Sequence, residues 1–214
     1  VNEQLQQQLE LEQVNSILII AMMTRLRQIC CEPRMLYENY KGESTKFTMC
    51  LELIETLKEN GKKVLLFSSF TSIFDSFIEE FKQRGIKYHM ITGAVDKKKR
   101  KEEVDAFQSD DSDVFLISLK AGGTGLNLTK AQAVIHYDPW WNVSAQNQAT
   151  DRAYRIGQTK NVLVYQLLMK NTIEAKIYEM QKRKKEMSDI FVENSNGGIS
   201  TLSKEELRDL FSME

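Results

Sequence analysis

The chain predicts an α/β protein built on a doubly wound, mostly parallel sheet with flanking helices, and three features carry that prediction. Val64-Leu65-Leu66-Phe67 follows Lys63 as an unbroken apolar run, the pattern of a strand covered on both faces. After it, short apolar runs alternate with longer stretches of helical character, the rhythm of parallel strands joined by crossover helices. Of the 214 residues, 42% are apolar, enough to fill one large domain or one domain with appendages.

No proline or glycine interrupts Asn2 to Ile29, and Leu5, Leu9, Glu12, Ser16, Ile19 and Met23 trace a helix that turns from polar to apolar partway, an exposed arm entering the core. Pro33 ends it, because a proline disfavours helical geometry in the residue before it. After a looser segment, Tyr37 to Glu43, a helix is expected at 45–59, capped by Ser44 or Thr45 and stopped by Gly61, with Phe47, Leu51, Ile54 and Leu57 on its apolar face. The strand at 64–67 then opens the alternation: a helix at 72–83 closed by Gly85, a strand at 86–91, a helix at 96–107 capped by Asp96, and strands at Val114–Ile117, Val134–Tyr137 and Val162–Leu167. Past Leu168, Asn171 or Thr172 caps a helix through Ile190, whose run Lys182-Arg183-Lys184-Lys185 reads as a solvated face. Asn194 to Gly198 is a flexible break, and Ser203-x-x-Glu206 is a capping box opening a last helix with Leu207, Leu210 and Phe211 on one face. Three units are expected: a helical arm and connector at 1–43, the α/β lobe at 44–170 and bracing helices at 171–214.

In such sheets ligands sit beyond the carboxyl ends of the strands, so the loops there carry the chemistry. Gly122-Gly123-Thr124-Gly125 after a strand allows close backbone approach to a phosphate and exposes amide donors, although a tight strand-exit turn looks the same. Residues 146–158 read as a short helix ended by Gly157, on which Gln148, Arg152 and Arg155, spaced i+4 and i+3, form one stripe of an amide and two guanidiniums. Guanidiniums grip phosphate oxygens with forked donors, and one aimed at a transferring phosphoryl group speeds transfer by roughly 10³–10⁵-fold. Taken alone, two arginines at this spacing read more simply as an exposed helix paired with Asp151 and other acids. In Lys97-Lys98-Lys99-Arg100-Lys101, most of the lysines read as a solvated helix start balanced by Glu102 and Glu103. Trp140 and Trp141 are costly to expose, and packing under the helix that follows is their simplest account.

Read together, these stretches resemble the Swi/Snf family of DNA translocases. Gln148 to Gln158 matches every fixed position of that family's Q-A-x-D-R-x-x-R-I-G-Q motif, and Ser118 to Leu128 resembles its S-x-K-A-G-G-x-G-L-N-L loop. Leu26 to Pro33 resembles its L-R-Q-x-C-x-x-P block, with Cys31-Glu32 replacing the commoner Asn-His. The glycine-to-arginine spacing from Gly93 to Arg100 and the D-x-x-W-N of Asp138 to Asn142 are also met, so the resemblance covers nearly the whole chain. It implies a RecA-like fold and the C-terminal lobe of a two-lobed, superfamily-two helicase-like enzyme, closest in its compactness to bacterial members. It further implies that Arg152 and Arg155 are arginine fingers in an ATP site shared with an N-terminal lobe, and that Gln148, Asp151, Gly123, Gly125 and Asn127 line the ATP side. Ser68, Ser69, Arg100, Ser118, Lys120, Trp141 and Asn142 are implied contacts to double-stranded DNA, Trp141 by sequence-tolerant stacking.

The chain contains no G-x-x-x-x-G-K-[ST] and no strand ending in D-E-x-H, hence no lysine cradle for the β/γ phosphates and no acidic pair for Mg²⁺. ATP with Mg²⁺ is expected to be held with the N-terminal lobe of the same polypeptide, and these residues alone are expected to be inactive. A rival is a RecA-like lobe that holds DNA or a protein without hydrolysis, against which the intact arginine pair argues. A dinucleotide or nucleotide-sugar enzyme lacks its G-x-G-x-x-G after the first strand. Lys plus Arg is 29 and Asp plus Glu is 30, so attraction to DNA has to come from a local patch. Cys30, Cys31 and Cys50 lack paired spacing with His89 or His136, which points to buried thiols in a reducing compartment and to no metal site. The run Ile17 to Met23 is too short to span a bilayer, and the start lacks signal-peptide features. A protein of the cytoplasm and bacterial nucleoid, or of the nucleus in a eukaryote, is expected, with no membrane partner.

Overall fold

The computed structural model describes residues 16–122, 126–155 and 157–190. Lys63–Ser68 (β1) is the central strand of a five-stranded, all-parallel sheet, with Val114–Ser118 (β3) on one side and Ala131–His136 (β4) on the other. Tyr88–Ile91 (β2) and Leu163–Gln166 (β5) form the two edges, giving the order β2-β3-β1-β4-β5. This is the doubly wound sheet expected. The β4 strand begins at Ala131 rather than Val134, because the small buried Ala131 and Ala133 add to the strand without adding an apolar run.

Alternation along β1 sorts the core into two layers. Val64 and Leu66 face the same side as Val114, Leu116, Ala133 and Ile135, under the helices Thr45–Glu59 (α2) and Ile73–Arg84 (α3), which contribute Phe47, Leu51, Ile54, Phe74, Phe77 and Phe81. Leu65 and Phe67 face the other side with Phe115, Ile117 and Val134, under Lys97–Ser109 (α4), the short turn Leu119–Gly122 (α5) and Val143–Thr150 (α6). All four residues from Val64 to Phe67 are fully buried, which is why the run reads as continuous in the sequence. At the edge, by contrast, Leu163 and Val164 of β5 are exposed.

Local chemistry sets the helix ends. Asp96 accepts the Lys99 backbone N–H at 2.9 Å to start α4, and Gly85, at φ 60°, closes α3 in the left-handed region that glycine enters without steric cost. Ser44 stands at the head of α2 but caps nothing; its hydroxyl donates instead to the Cys31 carbonyl at 3.4 Å. At the other end of α4, the Lys63 ammonium donates to the carbonyls of Phe107 (2.6 Å) and Asp110 (2.8 Å), a cation at a helix C-terminus.

A third layer forms where Ser16–Cys31 (α1) meets Ile173–Ile190 (α7), through Ile19, Met22, Met23, Ile173 and Ile177. Two buried groups fasten it to the lobe: Glu174 accepts from the Lys46 ammonium through both oxygens at 2.7 Å, and the Tyr137 hydroxyl donates to the Cys31 carbonyl at 2.6 Å. Burial pushes the Glu174 carboxyl up, and Lys46 opposes it. Cys31 and Cys50 are buried and Cys30 half-buried, all free, and desolvation raises each thiol. Among the described residues no helix is long and apolar enough to cross a membrane. The polar start of the first helix (Leu5, Leu9, Glu12) and the capping-box helix from Ser203 lie outside the described residues.

Candidate functional site

The carboxyl ends of β1, β3 and β4 lie side by side, so their exit loops share one edge of the sheet. At its centre is Asp138, fully buried. Its Oδ1 accepts from the Ser68 hydroxyl (2.8 Å) and the Ser69 backbone N–H (2.9 Å). Its Oδ2 accepts from the Ser69 hydroxyl and from Arg27 Nη2 at 2.7 Å. The same Nη2 donates to the Pro139 carbonyl at 2.9 Å, and the guanidinium carbon sits 5.0 Å from the Phe70 ring centroid. One carboxylate therefore ties the β1 loop, the β4 loop and α1 together. Ser68 was expected at DNA, but it is fully buried and its hydroxyl serves this network.

The arginine segment departs from its expected form. Instead of one helix through Gly157, α6 ends at Thr150: Asp151 N–H still reaches back four residues to Asn147 O (2.9 Å), but Arg152 and Ala153 reach back three, to Ala149 (3.2 Å) and Thr150 (3.0 Å). Gln148, Arg152 and Arg155 are consequently not one helical stripe. Ala149 and Ala153 point into the core, Gln148, Asp151 and Arg155 are exposed, and Arg152 is half-buried with its Nε shielded from solvent and without a hydrogen-bond partner among the described residues. No acid pairs with Arg152 or Arg155 among the described residues, neighbouring Asp151 included.

Three contacts anchor this turn. The Leu128 N–H donates to the Arg152 carbonyl at 3.0 Å. After Gly157 reverses the chain at φ 105°, the Gln158 amide donates to the carbonyls of Thr129 (2.9 Å), Ala131 (2.9 Å) and Ala153 (3.3 Å). His136, the last residue of β4 and buried, lies 2.9 Å from the Thr150 hydroxyl through Nε2. Burial holds this imidazole down to about 4, against a weaker opposing pull from Asp138, so it is neutral at physiological pH. Gln158 was visible as a motif position and Asp138 as part of D-x-x-W-N; for His136 and Thr150 the sequence offered no signal beyond a lone histidine on an apolar strand.

The remaining implied residues divide by exposure. Lys120 is exposed two residues past β3, and Asn127 is exposed with its carbonyl accepting from Gln108 at 3.2 Å. Ser69 is half-buried, its side chain spent on Asp138, and Asn142 is half-buried, its side-chain oxygen capping α6 through Ala145 N–H at 3.1 Å. Ser118 is buried and accepts the Ala121 N–H at 3.3 Å, which starts the α5 turn. Arg100 is half-buried and donates to the Val95 carbonyl at 3.1 Å. Trp140 packs on the α4–α6 layer, whereas Trp141 packs on the α1–α7 cluster with its indole N–H shielded from solvent and without an acceptor among the described residues. The open aromatic face expected of Trp141 is thus largely taken up by packing. Gly123 and Gly125 lie outside the described residues.

Sheet and site define a class: a parallel α/β lobe presenting a paired-arginine turn beside the carboxyl edge of its strands. A family model described as the helicase conserved C-terminal domain matches residues 45–157, and the chain belongs to that family, in the form carried by Swi/Snf ATPases. It is 40% identical over 207 residues to an uncharacterized ATP-dependent helicase of Mycoplasma pneumoniae, covering 94% of this chain and 20% of that protein. The Sulfolobus solfataricus SWI2/SNF2 ATPase core in complex with dsDNA matches with a TM-score of 0.80 at 30% identity, over 100% of this chain and 46% of that one. The Sulfolobus solfataricus SWI2/SNF2 ATPase C-terminal domain matches with a TM-score of 0.73 at 27% identity, over 93% of this chain and 83% of that one. The chain therefore spans only 20% of the helicase relative but most of a solved C-terminal domain.

Proposed function

We propose that this chain is the arginine-bearing lobe of an ATP-dependent double-stranded DNA translocase, working only against an N-terminal RecA-like lobe of the same polypeptide. The observation that carries the reading is the arginine turn. Two guanidiniums stand beside the ligand-binding edge of the sheet with no acid partner among the described residues, and one has a shielded Nε–H that lacks an acceptor. Such a donor costs free energy unless a ligand supplies the acceptor. A triphosphate between the lobes does so: Arg152 and Arg155 donate to the γ-phosphoryl oxygens, where charge accumulates during transfer, and the exposed Gln148 and Asn127 are assigned to the same ligand. Mg²⁺ would be held by acidic residues of the other lobe, where it would offset the negative charge of the phosphates.

On the DNA side, the exposed Lys120 ammonium and the amide N–H₂ of Asn142 supply backbone contacts, joined by Arg100. Ser68, Ser118 and Trp141 shape that surface from beneath. In the full-length protein, Arg152→Ala or Arg155→Ala should cut ATP turnover by at least about a hundredfold and leave DNA affinity nearly unchanged. If either substitution weakens DNA binding while sparing hydrolysis, the turn faces DNA and the lobe is a binding module instead.

A further inference from the structure

We propose that His136 and Thr150 are positioning residues for the arginine pair: the imidazole at the end of β4 pins the last residue of α6, and so sets the point at which Arg152 and Arg155 leave the helix. The inference rests on the arginine reading above.

The direction of the contact follows from the hydroxyl. Thr150 Oγ1 donates its one proton to the Gln146 carbonyl at 3.3 Å, so at 2.9 Å it accepts from His136 Nε2–H. This assigns the ring the Nε2–H tautomer, in which the unpartnered Nδ1 is a bare acceptor. The ring itself is held on both sides. It belongs to a strand hydrogen-bonded between β1 and β5, and it stacks on Phe67 of β1 at 5.6 Å with an interplanar angle of 22°. A rigid path therefore runs from the sheet through the imidazole and the hydroxyl to the helix end, and the first arginine follows two residues later.

A merely apolar filler suits this site better than histidine does. The Nδ1 atom is buried and has no hydrogen-bond partner among the described residues, a deficit that phenylalanine in the same space avoids. The threonine is equally specific, since its neighbours Ala149 and Ala153 already supply the apolar contact to the core. What the pair adds is a direction at the residue where the helical hydrogen-bond pattern changes from four back to three back. Arginine fingers act through geometry, and an error on the order of 1 Å in a reacting group can cost roughly a hundredfold in rate.

The test uses the full-length protein with ATP and duplex DNA. His136→Phe keeps the ring and removes the donor; Thr150→Val keeps the shape and removes the acceptor. Each is expected to lower kcat by about 10- to 100-fold with KM for ATP within about twofold, and the double variant should lose no more than the worse single one. His136→Gln and Thr150→Ser, which restore a donor and a hydroxyl, should recover most of the rate. Thr150→Val exchanges one hydroxyl for a methyl, so it decides the matter even if His136→Phe does not fold. Arg152→Ala is measured alongside. If it abolishes turnover while Thr150→Val keeps the wild-type kcat, the positioning role is wrong and the arginine reading stands. If Arg152→Ala itself keeps turnover, the arginine reading fails and takes this inference with it.

Discussion

Asp138→Asn isolates the network that joins α1 to the two central loops. The substitution keeps the size of the side chain but removes its charge and turns one acceptor oxygen into a donor amide. In the native site both oxygens accept, each from two donors: Ser68 and Ser69 N–H on one, Ser69 and Arg27 on the other. Whichever way the amide is turned, an N–H₂ meets a donor. The Arg27 side chain, only 9% exposed, also loses its counter-charge. Breaking one partner of a buried pair costs about 3–5 kcal/mol. For a domain of this size each kcal/mol moves Tm by about 2–4 °C, so a drop of roughly 6–20 °C is expected in a melt of the 214-residue chain. Arg27→Met should also destabilise, and the Arg27→Met/Asp138→Asn double variant should lose less than the two singles together, by about 0.5–3 kcal/mol in urea titrations. A shift under about 2 °C for Asp138→Asn, or strict additivity in the double, would refute the account of Asp138 as a buried counter-charge.

Three further outcomes are expected. Trp141→Ala should destabilise the isolated chain by about 2–4 kcal/mol, because the half-buried ring fills the α1–α7 contact; an unchanged Tm with weakened DNA binding in the full-length protein returns the residue to the DNA surface. His136 has its folded pKa depressed to about 4 against about 6.5 unfolded, so its contribution is whole above pH ~6.5 and is lost as pH falls toward ~4, roughly 3 kcal/mol in all. The urea midpoint of His136→Gln should therefore fall less over that interval than that of the wild type, and parallel curves would exclude the assignment. Lys120→Ala in the full-length protein should weaken binding to all duplex sequences alike and reduce the salt slope by about one ion; a sequence-selective loss measured by fluorescence anisotropy would contradict a phosphate contact.

The parallel sheet was legible because its central strand leaves no doubt: Val64 to Phe67 are buried on both faces, and no polar residue breaks the run. Where a strand relies on alanine, as β4 does at Ala131 and Ala133, the pattern fades and the strand start was read three residues late. The arginine helix was overextended for a different reason. Nothing between Gln146 and Ile156 is a helix breaker, and the early stop goes with contacts from Leu128, His136 and Gln158, all outside the helix. Ser68, Ser69 and Ser118 sit at strand ends where small polar residues either meet a ligand or satisfy the fold. For Ser68 the deciding contact is with Asp138, 70 residues away in the chain, which takes its hydroxyl for the fold. The two tryptophans are adjacent in sequence yet serve different layers, which no local pattern distinguishes.

The placement of buried charge argues that this edge of the sheet is built for geometry. Among the described residues, the buried charged side chains are Arg27, Glu32, Lys46, Asp138 and Glu174, and they come from the end of α1, the starts of α2 and α7 and the exit of β4. In a parallel sheet with crossover helices, those positions converge on the carboxyl edge. At the opposite edge the ion pairs Lys58–Asp113, Lys63–Asp110 and Lys87–Asp111 keep at least one partner substantially exposed to solvent. Stability alone gives no reason for this asymmetry, since a buried pair adds little over well-packed apolar residues of the same volume. Direction does, because an ion pair or hydrogen bond holds its elements at one distance and angle where apolar contacts allow sliding. On the proposed function, a lobe that brings two guanidiniums to a phosphoryl group on another lobe, repeatedly and without readjustment, needs that constraint at the edge bearing the arginines and has no use for it at the other.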